Sequence, residues 1–161
     1  MRTLLLTAAF VLSISGVAAD KKIDDQVVLV SDQDKDMNAA IAHAQSTLDS
    51  FLELSEKPPF GASNFKVKVM FSDKNGAEHF WVTPFKKSGN EFVGVVANEA
   101  QYVTSIEIGK TYRFSREQIT DWGYQQGNKQ VGSFTVCVLF KTMPKDIVAR
   151  YKQDHGFDCE T

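Results

Sequence analysis

Cysteine is scarce in this sequence, with two among 161 residues, and so are histidine, with three, and tryptophan, with two. Two cysteines exclude a disulfide-dense mini-protein, which needs several bridges to replace a core. An excess of basic charge is also missing: Lys and Arg total 18 against 20 Asp and Glu, a net charge of −2. Without a positive field there is no electrostatic footprint for nucleic acid. Phosphate-binding loops and dinucleotide fingerprints are absent. No Asn-x-Ser/Thr sequon occurs. What is present is an ordinary globular composition, 43% hydrophobic and 24% charged, which excludes disorder and collagen-like repeats.

The start of the chain reads as a secretory leader. Arg2 is followed by an apolar stretch from Leu4 to Ile14, then by the small residues Gly16, Val17, Ala18 and Ala19, then abruptly by Asp20, Lys21 and Lys22. A basic start, a short apolar core and a small-residue cleavage site define a signal peptide over residues 1–19, cut before Asp20. The apolar run is too short to span a bilayer, which takes about 20 residues. No later segment rivals it, so no membrane span is expected once the leader is removed. The remainder, residues 20–161, is long enough for one domain with one core. The expected location is the bacterial periplasm or the exterior.

An even cysteine count in an oxidising compartment reads first as a disulfide between Cys137 and Cys159, closing a loop that pins the C-terminal tail. The alternative makes Cys137 a nucleophile paired with a distant histidine.

Periodicity supplies the elements. Val27–Val30 reads as a first strand. Met37, Ala40, Ile41, Ala44, Leu48, Phe51 and Leu52 recur at steps of three and four, the signature of one long amphipathic helix, stopped by Pro58-Pro59 and Gly61. Phe65, Val67, Val69 and Phe71 alternate with polar residues and predict a half-buried strand. Asp73-Lys74-Asn75-Gly76 is a hairpin turn. Strands are expected over 78–85, Phe92–Ala97, Tyr102–Ile108 and 111–114, and again where Phe134, Val136, Val138 and Phe140 alternate. Ser115 caps a single helical turn, and 125–130 is a polar loop. Pro144 opens a short last helix, with Ile147, Val148 and Tyr151 inward, and Gly156 ends it. A helix before a run of antiparallel strands is the α+β class: one long helix packed on a curved antiparallel sheet, with a short C-terminal helix.

Chemical motifs fail their own constraints. Asp32, Asp34 and Asp36 have calcium-loop spacing, but Met37 stands where the turn needs Gly and His43 where the loop needs Glu, so helix capping is the better reading. Ser63-Asn64-Phe65-Lys66 matches S-x-x-K but enters a strand, where Ser and Lys face opposite ways. His43, His79 and His155 have no metal spacing, so neither metal nor cofactor is expected. What remains is a polar and aromatic set: Glu78, His79 and Trp81 on one strand, Asn98 and Glu99 at the end of the next, then Asp121, Trp122 and Tyr124. Exposed, such residues make a recognition surface; buried, Trp81 and Trp122 simply cover the sheet.

These residues also carry a resemblance. Asn64-Phe65 with Val67-Lys68-Val69, Glu78-His79-Phe80-Trp81-Val82 with Pro84-Phe85, Phe92-Val93-Gly94 with Ala97-Asn98-Glu99, and Ile119 with Asp121-Trp122-Gly123-Tyr124 resemble the YegJ-like family, domain of unknown function 2314. The resemblance covers roughly residues 36–140 and leaves the segment after 141 outside. Ala100 stands where the family pattern has Pro. It implies a small bacterial α+β domain and brings no catalytic residues. Three functions follow as expectations. The first is a non-enzymatic binding or accessory protein of the envelope, recognising a protein or glycan. The second is a small hydrolase or transferase using His79, Glu78 and Cys137. The third is an immunity- or inhibitor-like protein.

Overall fold

The computed structural model describes residues 34–159. The leader and the strand expected at Val27–Val30 lie outside these residues. Two helices, α1 (Lys35–Ser46) and α2 (Leu48–Glu56), precede strands β1 (Ala62–Asp73), β2 (Gly76–Ser88), β3 (Glu91–Val96) and β4 (Thr111–Phe114). A single 3-10 turn at Arg116–Gln118 leads into β5 (Ile119–Gln126) and β6 (Lys129–Gly132), and α3 (Phe134–Phe140) and α4 (Lys145–His155) close the chain. The strands form one sheet in the order β4-β3-β2-β1-β5-β6, with every pairing antiparallel.

The mixed helix and sheet class stands, but the one long helix does not. It divides at Thr47, whose hydroxyl lies 2.9 Å from His43 O and 3.2 Å from Ala44 O and bonds back into the preceding turn. Such back-bonding competes with the helical ladder and bends it. Both halves keep their apolar side inward, burying Met37, Ala44, Leu48 and Phe51. Asp34 caps α1 by accepting the Asp36 and Met37 amides, the capping role expected of this acidic run.

Residues 134–140 are a helix, not the strand their alternation suggests. Gly132 and Ser133 adopt left-handed φ values of 73° and 57°, turning the chain off β6. The Asp121 carboxylate then accepts the Phe134 and Thr135 amides at 3.2 and 2.8 Å. These are donors that a helix start leaves open, so a side chain from another element caps α3. Phe134 packs edge-on to His43 and Trp122, while Val136 and Phe140 join Trp81. A short helix wedged between two neighbours is apolar on two sides, and four alternating residues cannot distinguish that from a strand.

The strand expected at Tyr102–Ile108 is instead part of an irregular loop between β3 and β4. Its amides point at carboxylates rather than at a neighbouring strand. Gln101, Tyr102 and Val103 donate to Glu78 at 3.0–3.1 Å, and Thr104 and Ser105 donate to Asp73 at 2.8 and 3.2 Å. The polar loop expected at 125–130 is largely a hairpin, with Gln125 paired to Gln130 across β5 and β6.

Register assigns the two sheet faces. Val67 pairs with Val82 and Trp122, and these lie on the face covered by α1 and α2. Lys68 pairs with Trp81 and Asp121, which point the other way. On that second face Trp81 packs with Val136 and Phe140 of α3, Tyr151 of α4 and Phe157 beyond it.

Candidate functional site

The eight residues expected to form a recognition surface do not share one. Trp122 is on the helix-covered face, where its indole N–H donates to Ala44 O at 2.9 Å and its ring stacks on Phe51, centroids 4.8 Å apart. Tyr124 is half-buried on that face, stacked on Phe65. Trp81 is buried on the opposite face. The two tryptophans therefore cover different sides of the sheet, and the single aromatic surface does not form.

Three of the polar candidates serve the backbone. Glu78 is 1% exposed and holds the amides of the β3–β4 loop. Asn98 accepts the Trp81 amide at 2.8 Å. Asp121, 0% exposed, receives the Trp122, Phe134 and Thr135 amides and the Thr135 hydroxyl. A carboxylate with this many donors is a structural clamp, and a buried polar group is stable only when so satisfied. His79 and Glu99 remain exposed.

The nucleophilic set is not assembled either. Cys137 and Cys159 form a disulfide with Cα atoms 5.6 Å apart, so no thiol is available there. Glu78 and His79, being adjacent in β2, face opposite sides. His79 Nδ1 instead lies 2.9 Å from Thr120 Oγ1. Among the described residues no three His, Cys, Asp or Glu side chains converge to hold a metal.

The second face has its own electrostatics. Burial raises the Asp121 pKa, and the charge of Lys68 and the bonds from Thr135 and Trp122 oppose that rise. Lys68 Nζ donates to Thr135 Oγ1 at 3.0 Å. Partial loss of water around the imidazole, reinforced by Lys68, lowers the His79 pKa from 6.5 to about 4, so His79 is neutral at pH 7. Lys66 and Lys68 both place their ammonium groups over the Trp81 ring, 4.4 and 4.8 Å from its centroid.

Beside Lys66 a cleft of about 260 Å³ opens between the sheet and the C-terminal segment. Asn64, Lys66, Thr83 and Gln125 line its sheet side, and Tyr151, His155 and Phe157 its other side. Gln130 closes the floor, held by bonds to Tyr124 O, Val131 O and Ser133 Oγ. Sequence reasoning missed these residues. The available signal was period two: Lys66 and Lys68 alternate with Val67 and Val69, so they share a face opposite the core and adjoin the strand that carries Trp81.

A six-stranded antiparallel sheet with helices on both faces describes a small α+β domain. The chain belongs to the bacterial family described as "Uncharacterized protein conserved in bacteria (DUF2314)", which it matches over residues 34–159. The match includes α4 and the disulfide, so the family extends past residue 141, where the resemblance read from the sequence stops. The chain is 34% identical over 129 residues to "Uncharacterized protein YegJ" of Escherichia coli K12, covering 80% of this chain and 83% of that protein. It is 25% identical over 143 residues to a "Putative ankyrin repeat protein" of Neisseria meningitidis serogroup B, covering 84% of this chain and 56% of that protein. No solved structure matches.

Proposed function

We propose that this protein is an exported, non-enzymatic binding or accessory protein of the bacterial envelope that recognises a protein or glycan. The observation that carries this reading is the Cys137–Cys159 disulfide. Disulfides persist in the periplasm and are rare in the cytosol, and this one lies in a chain that opens on a leader-like segment. No described helix is long and apolar enough to cross a membrane, which is compatible with release after cleavage. The hydrolase or transferase alternative loses support because Cys137 is bridged and Glu78 is turned away from His79. Recognition then falls to the exposed parts of the second face rather than to Trp122.

The test is fractionation of cells producing the full chain, followed by intact mass measurement without reductant. A periplasmic species beginning at Asp20 and two hydrogens lighter than the dithiol is expected. An unprocessed chain with two free thiols in the cytoplasm would contradict the proposal.

A further inference from the structure

Two recesses on this molecule differ in how their charges are satisfied. The larger, about 770 Å³, runs between α2 and the β2–β3 hairpin. It mixes acidic Asp49, Glu53 and Glu56 with basic Lys86, Lys87 and Arg116. Two of its charges already meet, Arg116 and Asp49 at 2.7 Å. The smaller cleft beside Lys66 is the opposite case. None of its lining residues is acidic, although the chain as a whole carries a net charge of −2. Lys66 is half-buried, and among the described residues it forms no ion pair; its ammonium rests on the Trp81 ring instead. A cation–π contact leaves the ammonium free to bond an anion as well.

We infer that this cleft binds a carboxylated sugar, with Lys66 holding the carboxylate and Asn64, Thr83 and His155 meeting the hydroxyls. The inference deepens the binding reading above and rests on it.

Size, charge and chemistry each contribute. At about 30 Å³ per water, the space holds roughly nine waters, enough for one sugar ring. One lysine with no arginine in the lining suits a single negative charge. A phosphate dianion is more often met by an arginine fork or a helix N-terminus, and neither lines this cleft. Amide, hydroxyl and imidazole groups supply both donors and acceptors for a hydroxylated ring. Hydrogen bonds already link the two walls. Gln125 bonds Gln130 at 3.1 Å and His155 O at 3.1 Å, tying the sheet side to the end of α4. A preformed wall avoids the ordering cost of binding.

The experiment is an amide and side-chain NMR titration of the oxidised protein at constant ionic strength. The probes are glucuronate, glucose, N-acetylalanine and inorganic phosphate. Glucuronate is expected to give saturable shifts at Lys66, Thr83, His155 and the Trp81 indole N–H. Glucose, which lacks the carboxylate, should bind at least about tenfold more weakly. Lys66→Gln should weaken glucuronate by about tenfold or more, with Lys66→Arg retaining most of the binding as a folded control. Absence of saturable shifts, equal binding of glucose, or an unchanged Lys66→Gln variant would overturn the inference. Binding of N-acetylalanine or phosphate as tight as glucuronate would overturn the sugar assignment in favour of a general anion site. The two readings fail separately. Partner capture from the envelope that survives Lys66→Gln removes the cleft and keeps the binding protein. Glucuronate binding by an unprocessed cytoplasmic chain does the reverse.

Discussion

The two faces of the sheet solve the same burial problem by different means. On the α1/α2 face, Val67, Val69, Phe80, Val82 and Trp122 meet Leu48 and Phe51 in one continuous apolar cluster. On the other face a smaller cluster around Trp81 is built from the last part of the chain and is crosslinked by a disulfide. Its remaining space is occupied by polar and charged groups: Lys66, Lys68, Asp121 and the neutral imidazole of His79. The first face holds the larger apolar cluster. The second is held by bonds that can be removed one at a time, and it contains the open cleft. Two acidic residues that look functional in the sequence organise backbone, Glu78 the β3–β4 loop and Asp121 the start of α3.

The largest effect should come from the first face. Trp122→Ala removes a buried ring stacked on Phe51 and an indole bond to Ala44 O, and should destabilise by about 3–5 kcal/mol in urea unfolding. Trp81→Ala should cost less, because its cluster is smaller and two of its ring contacts are lysines. Equal losses would break the distinction between the faces. Next, replacing both Cys137 and Cys159 by Ser opens a loop of 22 residues, worth about 3 kcal/mol on the chain-entropy account. A fully folded variant with unchanged stability would show that the tail is held by packing alone.

Glu78→Gln should cost about 1–3 kcal/mol, since a neutral amide replaces the buried carboxylate and its nitrogen must face the Gln101 N–H even when its oxygen takes the Oε2 position. The loss should appear as faster hydrogen exchange at Gln101, Tyr102 and Val103, whose amides Glu78 accepts. The smallest effect concerns His79. Its folded pKa is lowered from 6.5 to about 4, so below pH 6.5 the unfolded chain binds a proton that the native chain refuses. Stability linked to His79 is therefore complete above pH 6.5 and falls as pH drops towards 4. Because His79 keeps much of its surface in water, the slope should be shallow. His79→Gln should flatten it, as read from chemical-denaturation midpoints between pH 4 and 7.

Much of the fold is legible in the sequence where local signals act alone. The α1/α2 apolar face, the turn between Asp73 and Gly76, the Ser115 cap and the α4 helix ended by Gly156 all follow from short-range chemistry, and the cysteine pairing from the even count. Two of the failures share a cause, which is a side chain from another element satisfying the local backbone. Asp121 turns an alternating run into α3, and Glu78 with Asp73 turns another into a loop. Thr47 divides a helix whose periodicity is unbroken. For the site, period two placed the lysines beside Trp81's strand, but only the register shows that Trp81 and Trp122 face apart. The C-terminal wall of the cleft had no local signal, since Tyr151, His155 and Phe157 reach it through the packing of α4.

On the second face the cluster around Trp81 is tied down by the disulfide-linked C-terminal segment. Residue-resolved hydrogen exchange of the oxidised protein against the Cys137→Ser, Cys159→Ser variant reads each face separately. Protection is expected to fall in α4 and around Phe157, while α1, α2 and the amides of β1, β2 and β5 keep theirs. Uniform loss of protection across both faces would contradict it.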